Sequence, residues 1–162
     1  MNRLRPQIAV CGPRDCTESD DRAAREVGRL LAEGGATVLC GGGTGVMAAV
    51  AAGASQAGGL VIGVRPDTER GAICDGLSAV LFTAMGEARN AILIESADAI
   101  IVIGGSWGTL SELALANRRG GVPVVSINGW RVVDANGDDV HGSRPAATPA
   151  EAVAWALAPT ES

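Results

Sequence analysis

Glu112 and Arg89 each follow a glycine by three or four residues, and a carboxylate and a guanidinium near open main chain could act on a charged ligand. Glu112 closes the run Gly104-Gly105-Ser106-Trp107-Gly108-Thr109-Leu110-Ser111-Glu112, which follows the β-branched stretch from Ile100 to Ile103. Glycines there let backbone N–H groups approach a ligand with no Cβ in the way. A helix opening at Thr109 would add unpaired amides and the positive end of its dipole, which makes the turn a seat for phosphate. Thr109 and Glu112 also have the T-x-x-E spacing of a capping box, so Glu112 has a structural reading beside the chemical one, and the two are compatible. Arg89 follows Gly86 and suits bidentate phosphate contact. Its alternative is a surface ion pair with Glu87 or Glu95, which would be worth little. Trp107 either stacks on a base or covers the turn, and Asp98 reads as a turn acceptor.

Positioning such a pair needs a scaffold, and the chain spells one out. Gln7–Cys11 reads as a strand ended by Gly12-Pro13. Thr17 caps a helix with Ala23, Val27, Leu30 and Leu31 at helical spacing, stopped by Gly34-Gly35. Thr37–Cys40 is a second strand, and Gly41-Gly42-Gly43-Thr44-Gly45 turns into a small-residue helix from Val46 to about Ala57. Strands follow at Leu60–Val64 and Ser78–Phe82, then a helix with Ile92, Leu93, Ile94 and Ala97, and the buried strand at Ile100–Ile103. A helix from Thr109 to about Arg119 and a strand at Val122–Ile127 complete the alternation. Residues 128–147 read as an irregular or hairpin excursion turning at Asn136-Gly137. Thr148-Pro149-Ala150-Glu151 opens a C-terminal helix over 148–158, with a frayed tail beyond Pro159. Strand and helix alternate with short turns throughout, which predicts an α/β fold. The expectation is a single Rossmann-like domain over residues 1–162, a parallel sheet with helices on both faces. In such sheets ligands bind where strand C-termini meet helix N-termini, and Gly12, Gly41–Gly45 and Gly104–Gly108 all fall at such ends.

Composition narrows the chemistry. All thirteen basic residues are arginine, so pyridoxal phosphate on a lysine, a Walker A loop and a lysine nucleophile are excluded. Gly41–Gly45 completes no G-x-G-x-x-G, and Val64 is followed by Arg65-Pro66 rather than an acid, which disfavours a nicotinamide dehydrogenase. The four cysteines form no C-x-x-C pair and His141 is the only histidine, so no metal site is expected. Cys11 and Cys40 read as buried, reduced thiols. A net charge of -5, one Phe and no Tyr argue against a nucleic-acid surface. The opening residues, Met1 to Val10, predict no signal peptide. With no apolar run of roughly 18 residues, the expectation is a cytoplasmic chain with no membrane partner.

The segments Gly41-Gly-Gly-Thr-Gly-Val-Met47, Glu87-Ala-Arg-Asn90 and Gly105-Ser-Trp-Gly-Thr-Leu-Ser-Glu112 resemble the LONELY GUY (LOG) superfamily, long labelled "lysine decarboxylase-like". The resemblance covers about residues 7 to 127. It is closest to the short bacterial branch, which is also similar to molybdenum cofactor carrier proteins. It implies a Rossmann-like homodimer whose small-molecule partner is a nucleotide or another phosphorylated ligand, with no resident cofactor. The implied activity is phosphoribohydrolysis of a nucleoside 5′-monophosphate, releasing base and ribose 5-phosphate; the alternative is a non-catalytic nucleotide or molybdenum cofactor carrier. The resemblance makes Arg89 and Glu112 catalytic. It gives phosphate binding to Gly105, Gly108 and Thr109, and the glycine turns at the sheet edge add Gly12, Gly41, Gly42, Gly43, Gly45, Met47, Gly104, Ser106 and Trp107 as nucleotide-binding candidates. This chain departs from the family pattern where Gly104 replaces Pro, Ser106 replaces a second Gly, and Arg89-Asn90 replaces Arg-Lys. These departures are features of the carrier-like branch.

Overall fold

The structure, a computed structural model, describes residues 4–159. The opening Met1–Arg3 stretch of the signal-peptide reading and the tail past Pro159 lie outside the described residues. Seven strands, β1 (Gln7–Cys11), β2 (Thr37–Cys40), β3 (Leu60–Arg65), β4 (Ala79–Phe82), β5 (Ala99–Ile103), β6 (Val124–Ile127) and β7 (Arg144–Pro145), form one sheet in the order β4-β3-β2-β1-β5-β6-β7. Every pairing in it is parallel. The helices are α1 (Glu18–Glu33), α2 (Val46–Gln56), α3 (Arg89–Glu95), α4 (Trp107–Arg119) and α5 (Pro149–Leu157). This is the Rossmann-like α/β arrangement that the alternation of elements predicts.

β5 is buried along its whole length, with Ile100, Ile101 and Ile103 fully inaccessible. Each isoleucine contributes roughly 2–3 kcal/mol by leaving water, which pins the strand at the centre. One face of the sheet, with Val10, Val38 and Ile101, packs under α1, α2 and α5; the other, with Ala9, Leu39 and Ile100, packs under α3 and α4. Thr17 caps α1 as predicted, its hydroxyl accepting from the Asp20 amide at 3.1 Å while Asp20 accepts from the Thr17 amide at 3.3 Å. Arg119 does not serve its own helix end. It donates to the carbonyls of Ile94 and Ala97 (2.8 Å for Ala97) and so closes the C-terminus of α3.

Three details differ from the sequence reading. α4 starts at Trp107, two residues earlier than predicted, because Ser106 takes an extended conformation and caps the helix itself. β7 is an extra two-residue edge strand within the 128–147 excursion. The hairpin there is reduced to one antiparallel bridge, Val133 to Asp139, around Gly137.

α1 and α2 approach closely because glycine sits at the crossing. A Cβ at Gly53 would collide with the Arg25 carbonyl oxygen, and one at Gly28 would lie 2.8 Å from the Ala54 amide nitrogen. Gly71, by contrast, has open space around it and ordinary backbone angles. Gly53→Ala is therefore expected to lower stability by about 3 kcal/mol in urea denaturation, and Gly71→Ala to change it by less than about 0.5 kcal/mol. Equal effects would show that the helix crossing is not what Gly53 serves.

Candidate functional site at the strand crossover

The sheet order places β1 and β5 side by side, and the chain leaves them in opposite directions. Their C-terminal ends therefore open a crevice, the usual ligand position in sheets of this kind. Gly12 lines it, and a Cβ there would press on the Ile103 carbonyl oxygen at 2.6 Å. The cleft holds about 540 Å³ and is walled by Gly12, Arg14, Met47, Arg89, Gly105, Ser106, Trp107, Gly108, Thr109 and Glu112, among others.

The start of α4 forms one side. Ser106 Oγ accepts from the Thr109 amide at 3.2 Å and shares a 2.9 Å hydrogen bond with Thr109 Oγ1. The amides of Trp107 and Gly108, in the first turn, have no intrahelical acceptor. They provide donors, with the dipole's positive end, for an anion. Thr109 spends no hydrogen bond on Glu112, so the capping-box reading of Glu112 gives way to Ser106 as the cap. The carboxyl sits a turn further on, 9% exposed, on the cleft wall.

Arg89 enters from the other side at the first turn of α3, 5% exposed. Its Nε donates to Asn90 Oδ1 at 2.7 Å and its Nη1 to the carbonyls of Gly41 (3.1 Å) and Val64. The predicted pairing with Glu87 or Glu95 is absent among the described residues; Glu95 pairs with Arg119 at 3.6 Å. Burial pushes the Glu112 carboxyl up to about 7, against the smaller downward pulls of Cys11 and Arg89. Burial also pushes the Cys11 thiol well up, and neighbouring Glu112 pushes it further. The Arg89 guanidinium is lowered by burial and held charged by Glu112. The cleft thus contains a buried cation, Arg89, with Arg14 at its rim, a helix start and a carboxyl poised near neutrality.

The other glycines of the sequence reading lie elsewhere. Gly41, Gly42 and Gly43 are buried beneath the cleft and do not line it. A Cβ at Gly41 would come within 2.9 Å of Arg89 Nη1, and one at Gly43 within 3.1 Å of Arg65 Nη1. Gly45, at φ +66, packs on the Pro13 and Arg14 carbonyls. Gly104, at φ +68, lies behind the turn, where a Cβ would be 2.9 Å from Asp20 Oδ2. These positions hold up the cleft rather than face it. Sequence reasoning missed Arg14 on the rim, although it directly follows Gly12-Pro13, and missed Asn90 as the partner that orients Arg89. It also missed Trp130, which no local signal connects to Gly105.

Among the described residues no group of three or more His, Cys, Asp or Glu converges on a metal-sized space. No helix is long and apolar enough to cross a membrane within the same residues.

A model of the SLOG cluster4 family matches residues 5–153. An uncharacterized protein of Archaeoglobus fulgidus is 40% identical over 141 residues, 83% of this chain and 92% of that protein. The molybdenum cofactor binding protein of Rippkaea orientalis is 32% identical with a TM-score of 0.81, over 91% of this chain and 93% of its own. The molybdenum cofactor carrier protein of Chlamydomonas reinhardtii is 33% identical with a TM-score of 0.79, over 93% and 95%.

An unfolded Glu112 ionises near 4.5 and the folded one near 7, so between those values the native chain holds an extra proton. Glu112's contribution to stability is then full below about pH 4.5, falls as pH rises toward 7, and is level above it. Glu112→Gln keeps the shape and removes the ionisation. It is expected to be more stable than the parent by on the order of 2–3 kcal/mol at pH 8, with no gain at pH 4.5. Urea midpoints at the two pH values check this, and an equal difference at both would refute the buried carboxyl.

Proposed function

The chain belongs to the SLOG cluster4 family, and on that footing we propose that it binds a phosphorylated, ring-bearing small molecule of the molybdenum cofactor type and carries it without chemical change. The observation that carries this reading is the open first turn of α4, which presents unpaired amides to a cleft at the strand crossover. A space of about 540 Å³ falls in the range of small-molecule sites. Arg89 supplies a fixed positive charge, and a neutral Glu112 does not repel the anion. The names of the Rippkaea and Chlamydomonas relatives favour binding and carriage over the hydrolysis that the family resemblance ranks first. The cargo would be held by its phosphate and organic ring, since the cleft offers no cluster of metal ligands.

A second reading, LOG-like phosphoribohydrolysis of a nucleoside monophosphate, is favoured by one observation: Glu112 and Arg89 line the same cleft as the phosphate-type turn. In that reading ionised Glu112 stabilises the developing oxocarbenium charge, and Arg89 holds the phosphate side. A homodimer belongs to the same family-based proposal, and light scattering at twice the chain mass would support it.

Ser106→Asp tests the binding reading without harming the helix, because Asp caps as well as Ser and suits the dipole. The variant is expected to unfold at the parent's temperature but to lose at least about tenfold in affinity for a pterin phosphate by calorimetry. Unchanged affinity would remove the α4 turn as the phosphate seat. For the hydrolytic reading, free base released from AMP above the level of Glu112→Gln would support an enzyme, and no difference between them would dismiss it.

A further inference from the structure

A second, half-open space of about 360 Å³ lies between the end of β6 and the returning loop of residues 128–146. Its floor includes Leu113, Ser126 and Ala146, and its mouth carries the Arg131–Asp139 ion pair and His141. Ser143 Oγ donates to Ser126 Oγ at 2.9 Å on its inner wall.

Trp130 lines this chamber and a narrow slot that leads toward the crossover cleft. Trp130 is seated on Gly105, where any Cβ would collide with its five-membered ring. Trp130 also meets Trp107 edge-on, with ring centroids 5.4 Å apart. The slot beneath it is lined by Ser106 and Thr109 on the cleft side and by Ser126 and Ser143 on the chamber side. The slot thus shares Ser106 and Thr109 with the cleft and Ser126, Trp130 and Ser143 with the chamber, and lies between them. Trp130 is 46% exposed and Trp107 79% exposed, so two large aromatic faces stand at this mouth with no protein layer over them.

We propose that the chamber receives the flat ring of the ligand, with Trp130 as its stacking face and the Ser126 and Ser143 hydroxyls meeting the ring edge. This rests on the binding function proposed above and specifies the ligand class: a phosphate ester bearing a fused, planar nitrogen heterocycle, such as a purine or pterin. An indole gives such a ring a broad polarizable face, and stacking tolerates different ring edges. Hydroxyls both donate and accept, so the serine pair suits the mixed edge of such a heterocycle. The volume alone fits a ring system of that size. With the phosphate on the α4 turn, the ring lies across the slot beneath Trp130.

Calorimetry with AMP and with ribose 5-phosphate separates the ring from the phosphate. AMP is expected to bind the parent protein at least about tenfold more tightly than ribose 5-phosphate. Trp130→Ala should remove most of that advantage and leave ribose 5-phosphate affinity unchanged, while Trp130→Phe, which keeps a flat face, retains part of it. Ser143→Leu, which fills the chamber, should act like Trp130→Ala. In a Trp107→Phe, Trp155→Phe background, AMP but not ribose 5-phosphate should quench the remaining indole emission. Equal affinity of the parent for the two ligands, or parallel loss of both in Trp130→Ala, would overturn the inference. Failure of ribose 5-phosphate to bind the parent at all would instead overturn the function proposed above, and this inference with it.

Discussion

A guanidinium taken out of water must find its acceptors in the protein, and Arg89 finds them at the ends of two strands. The Gly41 carbonyl just past β2 and the Val64 carbonyl in β3 both accept from Nη1, and Asn90 takes Nε. Leaving such a charge buried without partners would cost several kcal/mol. The surrounding sequence therefore has to keep these carbonyls within reach. That requirement explains the absence of a Cβ at Gly41, which would press on the guanidinium and on Met47. It also explains why α3 begins at Arg89 itself, so that the side chain turns back under the sheet edge as soon as the helix starts. The fixed charge in the cleft is thus a consequence of how β2, β3 and α3 are joined.

Around that charge the electrostatics are nearly balanced. Arg14 and Arg89 face Asp15, Glu87 and Glu112 across the cleft. With all three acids ionised the side chains would sum to a net negative site, ill suited to an anion. Burial resolves this by holding Glu112 near half-protonation at neutral pH. The α4 amides then tip the local field toward accepting negative charge. Cys11, fully buried on β1, lies against the same carboxyl and stays a thiol. Burial is the largest influence on all three groups, keeping Cys11 and Glu112 toward their protonated forms, while Arg89 stays charged against it.

Most of the fold was legible because parallel strands buried on both faces read as unbroken apolar runs. β1 and β2 match the sequence reading residue for residue, and β3 to β6 within two residues at their ends. α4 was misplaced because Ser106 looks like a substituted glycine in a ligand turn, whereas its hydroxyl serves as the helix cap. β7 was invisible: Arg144-Pro145 carries no strand pattern, and only pairing with β6 makes it one. For the site, the Gly105–Thr109 turn, Arg89 and Glu112 were readable as neighbours of one sheet edge. The glycine run at 41–43 misled, since a glycine records that something approaches its Cα without recording what. There the approaching groups are Met47, Arg65 and Arg89. Trp130 escaped notice for a related reason. It lies 25 residues after Gly105 in a segment with no regular period, and only the return of the chain past β6 seats it on that glycine.

The poise of Glu112 also separates the two functional readings physically. Glycosidic cleavage through an oxocarbenium-like state draws on a carboxylate that is charged when the bond breaks. A carboxyl that ionises only near 7 is charged in about half the molecules at neutral pH, and an incoming phosphate dianion would push it further toward the protonated form. Protonated, it can donate a hydrogen bond to a bound oxygen and adds no repulsion, which serves retention, while its ability to stabilise an oxocarbenium charge is weakened. On the binding reading the same burial that makes Glu112 a poor electrostatic catalyst makes it a good neighbour for an anion. With Glu112 protonated, Arg14 and Arg89 against Asp15 and Glu87 leave the cleft side chains close to neutral overall, a condition under which a charged cargo can be held firmly and still released.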